Sequence, residues 1–297
     1  MSPYLVLVLA VLGISVAAPL TRLSGEHPVT IAVWRLGFTL IVVVVALVVT
    51  GSWRQLRSVR ARDLLLALGA GTMLALHFWS WNASLGYTTV AASVVLVNLQ
   101  AVVIALGSAA FLGETPSRRQ GAGIAVAMAG GAVVALAGGV AGQGSNPPLG
   151  NLLAVVGAAT AGAYYLAGRS LRGRLSLWPY VALVYGACFV VLLLIAIPLG
   201  VAHRSQPPRE LLIFAGLALG PMLLGHTGMN WALRYLPAYV VNLTVLGEPV
   251  GATLLAAFIP AIGERPSAGT LAGGGLVLAG AVLASWRMAP REPVRPD

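Results

Sequence analysis

Long apolar runs separated by short polar breaks fill the chain. Ten of these runs approach 20 residues, the length that carries an α-helix across a bilayer. They predict spans at 4–22, 29–50, 63–84, 88–112, 119–138, 150–169, 177–200, 209–233, 238–260 and 268–286. Pro, Gly and Arg punctuate them, as in "GSNPPLG" at 144–150 and "SQPPRE" at 205–210. The runs are continuously apolar and lack the strict alternation of barrel strands. The expected fold is therefore an all-α integral membrane protein. The opening stretch "YLVLVLAVLGISVAAPL" ends in small residues, as a leader does. No basic residue precedes it in Met1-Ser2-Pro3, and it is long enough to span, so a retained first helix is expected.

The pattern also repeats. "GETPSRRQGAG" at 113–123 returns as "GERPSAGTLAG" at 263–273. "NASLGYTTVAASVVLVNLQAVV" at 82–103 aligns with "NWALRYLPAYVVNLTVLGEPVG" at 230–251, an offset of 148. Asn82 then matches Asn230, Tyr87 matches Tyr235 and Gln100 matches Glu248; further on, Gly123 matches Gly273 and Gly130 matches Gly280. Spans 3–5 and 8–10 read as duplicates. Five is odd, so the second copy of a five-span unit enters the membrane upside down. The expected architecture is ten transmembrane helices as two inverted five-helix repeats, over 1–143 and 144–297.

Charge sharpens this picture. Cytoplasmic loops retain basic residues. With the N-terminus inside, inner segments hold thirteen arginines and outer loops four, with Arg35 inside a span. This places both termini in the cytoplasm and the chain in the cytoplasmic (inner) membrane. It also explains why Arg118-Arg119 becomes Ala268-Gly269 in the second copy, which faces the other side. Composition agrees: 58% of residues are hydrophobic, 9% charged, and mean hydropathy is +0.89, against about 25% charged in soluble domains. The net charge of +10 comes from arginines scattered between apolar runs, without the aromatic-basic motifs of nucleic-acid binders, so no nucleic acid is expected as partner. A single cysteine, Cys188, excludes an intramolecular disulfide.

Several of these stretches together resemble the EamA type of the drug/metabolite transporter superfamily. They are "WRLGF" (34–38), "SLGYTTVAASVVLVNLQAV" (84–102), "FLGETPS" (111–117), "LGEPVGATLLA" (246–256) and "AIGERPS" (261–267). The likeness covers nearly the whole chain. Ala101 departs from it: the family often has proline there, and the second half keeps Pro249. The resemblance implies a carrier of small organic solutes, often an exporter of amino acids or related metabolites, with a central cavity and alternating access. Independently of family, inverted repeats place a substrate site near the midplane at their interface.

Charged groups in a span cost about 2.5–3.5 kcal/mol on insertion scales. Of eight acidic residues, Glu248 alone lies deep in a span. It either handles a cationic group or a proton, or holds its helix through a hydrogen bond. His77, Trp81 and Ser84 share one helix face, as do His226 and Asn230. An aromatic beside an imidazole suits a ring or an ammonium group; core packing is the alternative. Asn82 and Asn230 are expected to meet near the pseudo-two-fold axis. Asn98, Gln100, Asn242 and Tyr164 complete the expected substrate-binding set, and Tyr165 beside Tyr164 fits the cavity or an interface belt. Glu248, His77 and His226 are the candidates for proton coupling. Arg35 is expected to snorkel outward, the alternative being capture of a substrate carboxylate. Glu114 and Glu264 are assigned to turns, and Pro19 and Pro221 to kinks.

No HExxH, Ser/Lys, Asp/Asp or Cys/His set is visible, so neither an enzyme, a metal site nor a cofactor is expected. The expected function is a secondary transporter exporting amino acids or related compounds. Its partners are a small-molecule substrate and the lipid bilayer, and it acts as a monomer or a homodimer. A lipid-linked metabolite flippase or an accessory membrane subunit is the alternative, and an intramembrane enzyme a remote one.

Overall fold

The computed structural model describes residues 2–113, 117–137, 144–201, 205–245 and 247–285. Glu114, Pro116, Arg204 and the arginines beyond 285 lie outside them. The described residues form helices and turns, without a strand. The first stretch is split into α1 (Pro3–Ser15) and α2 (Ala17–Leu23), followed by α3 (Pro28–Val49), a 3₁₀ turn at Ser52–Ser58 and α4 (Ala61–Tyr87). Next come α5 (Val90–Val97), α6 (Gln100–Phe111), α7 (Arg118–Ala137), α8 (Pro147–Arg172) and α9 (Leu177–Ala196). A single tall element then unites α10 (Pro208–Leu217), a π-helical stretch (Ala218–Thr227) and α11 (Gly228–Ala232). The chain closes with α12 (Ala238–Val245), α13 (Glu248–Phe258) and α14 (Ala268–Ser285).

Seven stretches are long and apolar enough to cross a membrane: Pro3–Leu23, Pro28–Val49, Ala61–Tyr87, Val90–Phe111, Pro147–Arg172, Leu177–Ala196 and Pro208–Ala232. The other three expected spans fall on α7, on α12 with α13, and on α14. Large apolar side chains such as Leu12, Ile41, Val48, Leu65, Leu106 and Leu194 point outward. Water would not tolerate so much exposed hydrocarbon, whereas lipid is its matching solvent. The interior is built on Leu36, Leu74, Phe78, Tyr180 and Tyr185.

The breaks have local causes. Pro19 lacks the N–H that would bond the Ser15 carbonyl, and the first helix changes course at Val16. Pro221 removes another donor, and the backbone there widens into the π-helical stretch. Its wider register lets Thr227 Oγ1 donate to the Met222 carbonyl at 3.0 Å. The α5–α6 break has no proline. Asn98 donates through Nδ2 to the Val94 carbonyl at 2.8 Å, and the chain restarts at Gln100. The second interruption keeps this register: Val90 and Ala238 start α5 and α12, and Gln100 and Glu248 start α6 and α13, both 148 apart. The departure at Ala101 therefore does not abolish the break.

Helices α7 and α14 pack with their backbones almost touching. A Cβ on Gly130 would sit 2.5 Å from the Gly273 carbonyl oxygen, and one on Gly280 would strike the Gly123 carbonyl. The partners exchange roles between positions 150 apart. Gly121, earlier on α7, borders open space. Gly113 and Gly263, which precede the two "GE" glutamates, both have φ near +60° (65° and 59°). Only glycine takes that conformation without strain, which explains why the turn is written twice.

Candidate functional site

The two helix restarts converge on one buried cavity. Gln100 opens α6 and Glu248 opens α13, and both line it. A carboxylate in the first turn of a helix meets the positive end of the helix dipole. Glu248 is only 6% exposed, and its Oε2 accepts from Asn98 Nδ2 at 3.2 Å. Helix α4 contributes His77 and Trp81, whose rings stack 6.0 Å apart at 3°. The other polar walls come from Tyr165 on α8 and His226 on the π-helical stretch. Their rings stack at 6.2 Å, and the Tyr165 hydroxyl lies 3.2 Å from His226 Nδ1. Ile14, Ala17, Val97 and Val245 supply aliphatic wall.

Protonation at His77 follows from its partner. Nδ1 lies 3.0 Å from the Gly157 carbonyl, which can only accept, so Nδ1 carries the hydrogen. In the neutral ring Nε2 is then an acceptor. Free volume is about 30 Å³, room for one or two water molecules.

Arg35 corrects the sequence reading. It was expected to snorkel outward, yet it is 0% exposed and lines this cavity. Seven residues separate it from Pro28, the start of α3, about 10 Å along the axis. That is deep enough to leave the guanidinium inside the bundle. It rests over Phe78, 4.2 Å from the ring centroid. Among the described residues none of its three side-chain nitrogens has a hydrogen-bond partner.

The remaining expected residues part company. Asn82 Nδ2 donates to the Pro28 carbonyl at 3.2 Å and Asn242 Nδ2 to the Ala238 carbonyl at 3.0 Å; neither lines the cavity. Asn230 donates to the hydroxyls of Tyr164 and Tyr185, forming a polar layer beside the cavity. Tyr164 belongs to that layer, while its neighbour Tyr165 faces the cavity. Asn82 and Asn230 do not meet. Helix α8 runs antiparallel to α4, with Gly150 against Thr88 and Gly157 against Trp81. Asn230 is tied to Arg172 at the far end of α8 by a 2.9 Å bond to its carbonyl. Asn82 sits toward the Gly150 end, so the two asparagines lie at different depths.

Polar ties fasten both ends of the bundle. At one end Arg22 pairs with Glu264 at 3.2 Å and donates to the carbonyls of Leu85 and Thr88. Glu264 Oε2 accepts from the Val90 N–H at 2.8 Å, capping α5. Burial pushes its carboxyl pKa up, while Arg22 and the backbone N–H groups of Val90 and Ala91 pull it down; the net direction is upward. Ser24 Oγ also donates to Glu210 at 2.6 Å. At the other end Arg174 pairs with Asp63 at 3.2 Å, and Ser176 Oγ donates to Gln55 at 2.7 Å.

The chain is similar to known proteins. The EamA-like transporter family matches residues 1–136 and again 148–286. A relative from Streptantibioticus cattleyicolor, a probable terminal-alkyne amino-acid exporter, is 30% identical over 252 residues, which cover 84% of this chain and 82% of the relative. A crystal structure of another protein superposes with a TM-score of 0.70 over 96% of each chain at 22% identity, a likeness of fold. The chain belongs to the EamA-like transporter family. It is a multi-pass membrane transporter and not an enzyme.

Proposed function

We propose that this protein is a secondary transporter of the cytoplasmic membrane that exports amino acids or related small metabolites by alternating access. The observation that carries this reading is the cavity where two interrupted helices restart, each with a polar residue, Gln100 and Glu248. Unwound backbone at such restarts is where carriers bind solutes and ions. The name of the Streptantibioticus relative favours amino acids as the substrate class.

The proposed topology is ten spans in two inverted five-helix halves, 1–143 and 144–297, with both termini cytoplasmic. The arginine asymmetry, the shared break register and the reciprocal Gly123–Gly280 and Gly130–Gly273 contacts support it. In the conformation described, both ends are tied, and the cavity is too narrow for an amino acid. Transport then consists of loosening one end at a time, so that the walls part toward one side only. Glu248, His77 and His226 are the groups proposed to handle protons.

Proteoliposomes loaded with the twenty protein amino acids test this directly. Amino-acid efflux should accelerate when an inward proton gradient is imposed. Glu248→Gln should remove the gradient's effect and slow efflux roughly tenfold or more. Efflux indifferent both to the gradient and to Glu248→Gln would leave facilitated exchange in place of proton coupling. Absence of any efflux would overturn the transport reading.

A further inference from the structure

The cavity holds a basic and an acidic side chain, Arg35 and Glu248, that do not meet. Arg35 is fully buried, and its guanidinium has no hydrogen-bond partner among the described residues. Glu248 lines the same cavity and is held from one side by Asn98. No hydrogen bond joins the two residues. A guanidinium withdrawn from water without an acceptor is costly, and its contact with the face of Phe78 replaces only part of the lost hydration. Such a group persists where something else supplies the acceptor. The carboxylate across the cavity is the complementary half of the same demand.

Resting on the transporter reading above, we propose that the cavity selects zwitterions of the α-amino-acid type. Arg35 takes the carboxylate through its fork of donors, and Glu248 takes the ammonium. A lone carboxylic acid would leave Glu248 uncompensated, and a lone amine would leave Arg35 so. Only a solute with both charges satisfies both walls. The Nε2 acceptor of His77 and the side chain of Gln100 are polar neighbours that can share the ammonium or carboxylate. Ile14, Val97 and Val245 offer an apolar surface to the solute's side chain, so leucine and phenylalanine are suited to it.

The test compares each amino acid with its two half-charged analogues. The full-length protein in lipid nanodiscs is titrated with L-leucine, 4-methylpentanoate and 3-methylbutylamine, and with L-phenylalanine, 3-phenylpropionate and 2-phenylethylamine. Binding is followed through the shift in thermal unfolding midpoint. In at least one series the amino acid should bind roughly tenfold to a hundredfold more tightly than both analogues, the value of one charge-assisted contact. Arg35→Gln should abolish the advantage over the amine, and Glu248→Gln the advantage over the carboxylate. Arg35→Lys should recover part of the carboxylate response, which separates charge from folding. The wild-type comparison stands without any variant.

The proposal is overturned if in both series an analogue binds as tightly as its amino acid, if Arg35→Gln leaves amino-acid affinity unchanged, or if none of the six compounds binds. That last result, alongside efflux of some other solute from proteoliposomes, would remove zwitterion selection while leaving the transporter intact.

Discussion

Arg35 is buried with none of its side-chain nitrogens hydrogen-bonded among the described residues. Replacing buried ionic groups with apolar side chains of similar volume is often neutral or stabilises by about 1–4 kcal/mol. Arg35→Met should therefore raise the unfolding temperature of the purified protein while reducing amino-acid efflux to background. A lower unfolding temperature would mean that Arg35 is a structural tie instead. The contrast with Arg172 is instructive, since that side chain donates to the carbonyls of Asn230 and Leu175 and has a fixed structural place. Much of the cavity was legible at this scale. His77, Trp81, Gln100, His226 and Glu248 stand out because polar or bulky aromatic groups interrupt apolar runs. The same signal marked Asn82 and Asn242, whose partners are backbone carbonyls. A polar residue in a span needs a partner, and sequence does not say whether that partner is the chain or a solute. Arg35 was read first as snorkelling, with carboxylate capture as the alternative, because a few residues of boundary error are the difference between snorkelling and burial.

Between helices, the α7–α14 seam is a close backbone approach. Gly130→Val would drive side-chain carbons into the Gly273 carbonyl and the Val277 backbone, neither of which can swing aside. We expect a loss of about 1–3 kcal/mol, the usual range for overpacking. A lower midpoint in thermal unfolding should report it, with Gly280→Val giving a matching drop. Gly121→Val, facing open space, is the control and should change little. Helix existence was readable from apolar run length alone. The interruptions were less so: Pro19 and Pro221 announce two of them, but no breaker residue signals the end of α5 at Val97. The repeat did not signal it either, since the proline beside the second interruption has Ala101 as its counterpart in the first.

For the molecule as a whole, inverted topology makes opposite predictions for matched positions. Arg118→Cys should react with a membrane-impermeant maleimide only from the cytoplasmic side, and Ala268→Cys only from the outside. Labelling of both from one side would exclude the inverted arrangement. The outward-facing hydrocarbon of the described helices requires that these reactions be run in membranes or vesicles and not in aqueous extract. One core residue makes the mapping simple. Cys188 is 0% exposed, so its thiol is shielded from water-borne reagents and from lipid alike. The unaltered chain should be silent to labelling, each engineered thiol should report its own position, and topology can be charted without first constructing a cysteine-less background.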